Sequence, residues 1–142
     1  MQNDIPVAFD TRIAILLHED LATWQKLNVT AFLAGGLGGS DPALIGNSYH
    51  DADGTRYGAL IVQPILIFAS DAEGMMRAHA TALARGANLF IYTREMFSTG
   101  HDAANRAAVA AVPRADLDLV GIALRDSKAT VAKVTKGLKL HP

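Results

Sequence analysis

The chain has 142 residues, half of them hydrophobic, and a formal net charge of −1. That length and composition fit one domain with a real core and exclude a disordered chain. The absence of cysteine excludes disulfides, thiolate zinc sites and cysteine nucleophiles. The near-neutral charge gives no global attraction to nucleic acid.

The opening stretch, MQNDIPVAFD, is polar and acidic and lacks the pattern of a signal peptide. No apolar run approaches the ~18 residues that a membrane span needs. A soluble, cytoplasmic protein is expected, a single α/β domain over 1–142 with residues 1–10 as a flexible N-terminus. The apolar run Ile13–Leu17 is too short for a helix and fits a buried central strand. Thr23 then suits a helix cap, with the helix running to about Ala34 and the glycines 35–36 ending it. That helix is apolar around most of its circumference. Trp24, Leu27, Ala31 and Ala34 form one stripe, with Val29 and Leu33 on another side, so burial on more than one face is expected.

GGLGGSDPAL reads as a flexible loop. LIGNSYHDADGTRYGAL reads as two short strands joined by a tight turn at Asp51–Gly54. The D-x-D-G string resembles the start of a calcium loop but lacks the remaining ligands. Pro64–Ser70 is a second apolar strand, followed by a helix from about Ala72 to Arg85, capped by Ser70 or Asp71 and stopped by Gly86. On its apolar face lie Met75, Met76, His79, Ala82 and Leu83, and His79 is expected to be a hydrogen-bonded core histidine. ANLFIYT is the next strand. Asp102 then suits the cap of a short alanine-rich helix that Pro113 terminates. LDLVGIAL is a further strand, and Ser127 caps the last helix. There Val131, Val134 and Leu138 share an arc opposite Lys128, Lys133, Lys136 and Lys139. The segment from Arg125 onward carries +4 against −5 for the rest, a solvated basic face or a phosphate-binding one.

Strands alternating with helices predict a three-layer α/β/α sandwich with a mixed sheet. In such sheets ligands gather beyond the carboxyl ends of strands. Two polar clusters fall there. One follows the first strand and contains Asp20, Trp24, Lys26 and Asn28. The other follows ANLFIYT and contains Thr99, Gly100, His101, Asp102, Asn105 and Arg106. If those strands are neighbours, both clusters face one pocket. A helix N-terminus suits an anion or a developing oxyanion. A histidine such as His101 suits general-base work, and Arg106 can clamp a carboxylate or phosphate. The alternative is structural, with Asp102 a helix cap and Arg106 a surface side chain. His18, Glu19 and Asp20 are consecutive and no H-x-H or H-E-x-x-H spacing occurs, so no metal site and no cofactor are expected. No serine-hydrolase elbow occurs either.

The strings HEDLATWQKLNVTAFLAGGL, MFSTGHDAANRAAVAAV, DLDLVGIALRD and KGLKLHP resemble the uncharacterised bacterial family called domain of unknown function 2000, over nearly the whole chain. That family is similar in fold to the type II peptidyl-tRNA hydrolases, which cleave the ester between a peptide and its transfer RNA and often dimerise. By this resemblance Asp20-Leu21 matches an Asp-Leu pair, Lys26 matches the first lysine of the motif, and Leu138-Lys139-Leu140 matches the closing string. The second lysine, the catalytic one, falls on Asn28, and a later carboxylate falls near Thr93. These two departures argue against peptidyl-tRNA hydrolysis. The resulting expectation is a hydrolase acting on an ester or acyl bond, with Lys26, His101 and Asp102 as catalytic groups. The alternative is a non-catalytic module for a small anionic ligand or nucleotide, held by Asp20, Trp24, Asn28, Thr99, Gly100, Asn105 and Arg106. A homodimer through the apolar first helix is expected, and transfer-RNA binding through the last helix is the least favoured option.

Overall fold

A computed structural model describes residues 8–142. Five strands form one mixed sheet in the order β5-β6-β1-β4-β7: β1 is Thr11–His18, β4 Ile65–Ser70, β5 Phe90–Thr93, β6 Leu119–Ser127 and β7 Lys139–Leu140. The residues between β1 and β4 include a small hairpin of β2 (Tyr49–His50) and β3 (Arg56–Tyr57), whose Asp51–Gly54 turn is the one expected. There the Asp51 carboxylate accepts from the Asp53 and Thr55 amides and from the Tyr57 hydroxyl.

β1 is parallel to β4 and antiparallel to β6, and β5 is antiparallel to β6. β1, β4 and β5 therefore run the same way, and their carboxyl ends, His18, Ser70 and Thr93, reach the same end of the sheet. Alternation along β1 sends Ile13, Ile15 and Leu17 to one face and Ala14 and Leu16 to the other. The helix α1 (Thr23–Ser40) covers the first face with Val29, Leu33 and Leu37. α2 (Ala72–Ala84) and α4 (Lys128–Val134) cover the second with Met75, Ala78, Ala82, Val131 and Val134. The short α3 (Asp102–Ala110) has no buried residue. A three-layer arrangement is thus what the alternation of strands and helices produces.

Several local expectations change. α1 runs through Gly35 and Gly36 to Ser40. Gly36 and, further along, Gly38 are packing positions, whereas Gly35 faces open space: a Cβ on Gly36 would meet Phe90 at 3.3 Å, and one on Gly38 would meet Ile45 at 3.2 Å. Thr23 is the first helical residue rather than the cap. Ala22 flanks the helix, and its amide donates to Gln25 Oε1 at 2.9 Å. Trp24, Leu27 and Phe32 are 61%, 67% and 60% exposed, so α1 is buried on one side only. GGLGGSDPAL is the end of α1 plus a single tight turn, Pro42–Leu44, capped by Asp41. α3 begins after His101, which takes the capping role expected of Asp102. α4 stops at Val134, and Gly137 at φ +81° redirects the chain. Leu138-Lys139-Leu140 therefore leads into an edge strand instead of closing a helix, and no continuous basic helix face forms. Arg125 of that segment lies on β6 and pairs with Asp41 at 2.6 Å. Of the expected flexible N-terminus, residues 1–7 lie outside the described residues.

Candidate functional site

The carboxyl end of the sheet gathers four charged or titratable side chains. His18 ends β1 and is buried, and its Nδ1 lies 2.7 Å from Asp20 Oδ1. The Asp20 amide also approaches that nitrogen, at 3.3 Å. One nitrogen cannot serve both: carrying a proton, Nδ1 donates to the carboxylate, and without one it accepts from the amide. Asp20 also accepts from Arg94 at 3.3 Å, and Arg94 Nε donates to Asp118 at 2.9 Å. Partial burial works against the Arg94 charge, but the two carboxylates outweigh it and raise its pKa further. β1, the start of the turn after β5, and the residue before β6 are thereby joined.

Thr93 sits beside this group. It is 1% exposed, and its hydroxyl is the one fully occluded side-chain polar atom among the described residues that has no hydrogen-bond partner. The pairing of β5 with β6 shifts register between Tyr92 and Thr93, which carries Thr93 off the regular ladder.

A cleft of about 410 Å³ opens between α1, β5 and α3. Phe32, Leu33, Phe90, Tyr92, Met96 and Val109 form its apolar walls, and Asp102, Asn105 and Arg106 its polar rim. Tyr92 anchors the aromatic wall. Its ring contacts Phe32 at 5.9 Å and Phe97 at 5.2 Å, and Phe97 meets Trp24 edge-on at 5.7 Å. Burial pushes the Tyr92 hydroxyl above its ordinary pKa, while the Asn28 amide, donating at 3.4 Å, opposes that shift. The rim is satisfied within itself: Arg106 pairs with Asp102, and the Thr99 hydroxyl contacts Asn105 and the Met96 carbonyl. His101 Nδ1 accepts from the Ala104 amide at 3.2 Å, so this nitrogen serves the helix cap.

The two sequence clusters thus lie at the same end of the sheet but do not merge. β6 separates β1 from β5. Asp102, Asn105 and Arg106 line the cleft, whereas Thr99, Gly100 and His101 stand beside it. Asn28 and Trp24 do not line the cleft; Asn28 bonds to the Tyr92 of its wall, and Trp24 meets Phe97, which packs on Tyr92. Lys26 points the other way, its Nζ 3.1 Å from His141 Nε2 beyond β7. Asp20 joins His18 and Arg94. His18, Arg94 and Asp118 have no place in the expected site; His18 is only two residues from Asp20, whereas no spacing signals the other two, because Arg94 lies 74 residues from Asp20 and 24 from Asp118. Among the described residues no three metal-binding side chains cluster, and no helix is long and apolar enough to cross a membrane.

The model of the family described as "protein of unknown function (DUF2000)" matches residues 11–142. The chain belongs to this family. Among solved structures it is similar to the protein of unknown function Atu0240 from Agrobacterium tumefaciens strain C58, with 45% identity and a TM-score of 0.93. The match covers 95% of this chain and all of the other. No functionally curated protein matches. The family is thus established by sequence and by fold together, and the region matched includes every residue of the cleft and of the His18–Asp118 group.

Proposed function

We propose that the protein is a non-catalytic binding module for a small anionic ligand with a flat apolar body, held in the cleft between α1, β5 and α3. The observation that carries this reading is the division of the cleft into aromatic walls and a polar rim at one end. Its volume lies in the ordinary range of small-molecule sites, which bind an apolar body by burial and orient it with a few polar groups. The ligand's ring stacks on Phe32 and Tyr92. Its anion takes Arg106 from Asp102 and accepts from the Asn105 amide. That exchange is cheap, because an exposed ion pair within one helix turn contributes only about 0.3–0.5 kcal/mol. Trp24, the sole tryptophan, reports through Phe97 on the Tyr92 wall. Titration with nucleotides and aryl carboxylates is expected to change Trp24 fluorescence and raise the melting temperature, and R106Q is expected to weaken both responses. A panel without any response in either measurement overturns the reading.

A second reading, hydrolysis of an acyl bond, is favoured by the His18–Asp20 contact and by the likeness to peptidyl-tRNA hydrolases drawn from the sequence. A carboxylate on Nδ1 is the arrangement that leaves Nε2 free to take a proton. In this reading His18 is the base, while Lys26, His101 and Asp102 keep only supporting roles. Any hydrolysis of model esters is expected to disappear in H18Q; activity unaffected by that change removes the reading.

A further inference from the structure

On the opposite face of the sheet, α2 and the turn Arg114–Asp116 bound a second cleft of about 620 Å³. Met76, Ala80, Leu83 and Ala84 make its apolar side, and Arg114 and Ala115 face them. His79 also lines it. That residue departs from the sequence expectation: it is only 6% exposed, yet it makes no hydrogen bond to any described residue. Its nitrogens are not fully occluded, and the cleft that the residue lines is where a partner can reach them.

We propose that this cleft is a binding site for a small carboxylate with a short branched apolar body, the carboxylate lying between His79 and Arg114. The walls carry no acidic side chain, and Arg114 is in no ion pair among the described residues, so its guanidinium is available to an anion. Two alanines on successive turns of α2 leave room beside Met76 and Leu83 for a branched chain. Burial and, after it, the Arg114 charge hold His79 below the ordinary histidine pKa. The ring is therefore neutral near pH 7 and offers one N–H to a carboxylate oxygen, while Arg114 supplies the charge. The site shares no residue with the cleft on the α1 face, so each proposal can fail without the other.

The test is a titration of the full chain with isovalerate, followed in histidine-ring NMR, with the His79 signals assigned through H79Q. Isovalerate is expected to move the His79 ring signals and the amide signals of Ala80 and Ala84. Isovaleramide, of the same shape without the charge, is expected to bind at least about tenfold more weakly, and R114Q, altered on an exposed turn, to lose about tenfold in affinity for isovalerate. The proposal is overturned by an absence of His79 shifts at saturating isovalerate. It is also overturned by equal binding of the amide, by unaltered affinity in R114Q, or by shifts that inorganic phosphate reproduces at the same concentrations.

Discussion

The two polar clusters at the carboxyl end of the sheet are alike in composition and opposite in construction. Thr99 pairs with Asn105, Asp102 with Arg106, and His101 with the Ala104 amide, all within three to six residues of sequence. They build the start of α3 and would do so in almost any context. His18, Asp20, Arg94 and Asp118 satisfy one another across three separate parts of the chain. That group exists only when β1, β5 and β6 have assembled. Local polar pairing marks a helix end, and long-range polar pairing marks a place that the tertiary fold holds together.

Substitutions can break that contrast in graded steps. The largest effect is expected at Gly121, where a Cβ would stand 2.4 Å from Val29 and 3.0 Å from Leu33. G121A lifts α1 from β6 and should cost about 1–3 kcal/mol, lowering the denaturant midpoint. It should disturb the Asn28–Tyr92 contact while α3 keeps its own capping. Thr93 tests the long-range region with the opposite sign. T93V keeps the shape and removes an unpaired buried hydroxyl, so it should stabilise by about 1 kcal/mol; an unchanged or lower melting temperature would mean that the hydroxyl does find a partner.

R94M removes both ties of the long-range group. Because Arg94 and its partners are substantially exposed, the loss should be no more than about 1 kcal/mol, and it should fade in high salt. D102N, within the local cluster, should change stability by less than about 0.5 kcal/mol. A larger loss in D102N than in R94M would reverse the contrast. The smallest effect is a slope. His79 is held below the ordinary value of 6.5, so as the pH falls the unfolded chain takes up this proton first. Its stabilising contribution is complete above about 6.5 and is lost below that pH. H79Q should flatten the melting temperature against pH in that window, and an unchanged slope would contradict the burial of the ring.

Much of the fold was legible. β1 reads as a short apolar run and β4 as a run behind a proline. α2 reads between Asp71 and Gly86, and the hairpin turn reads in D-A-D-G. Each of these signals is local, so the neighbours in sequence carry it. The misreadings occur where a distant partner decides. Gly35 and Gly36 look like a helix stop, but the helix continues through them, and Gly36 is a thin place where Phe90 approaches. The apolar stripe with Trp24 and Leu27 looks buried, yet only the Val29 and Leu33 side meets the sheet. Leu138 continues a helical spacing in sequence, although Gly137 has already turned the chain toward β4.

The site divides the same way. The residues Asp102, Asn105 and Arg106 could be named from their position after a strand, and the structure brings them to a cleft. Lys26 and Asn28 sit two residues apart on a helix, and that spacing alone sends them to opposite sides: one reaches His141 and the other Tyr92. Sequence by itself determined the α/β class, the family and the chemical character of each loop, because periodicity and turn chemistry act over a few residues. Tertiary structure alone decided that β6 inserts between β1 and β5, that Asp20 meets Arg94 and Arg94 meets Asp118, and that His79 is buried without a partner among the described residues. Strand order and burial are set by contacts between residues far apart in the chain, and no local pattern encodes which distant surface a side chain will meet.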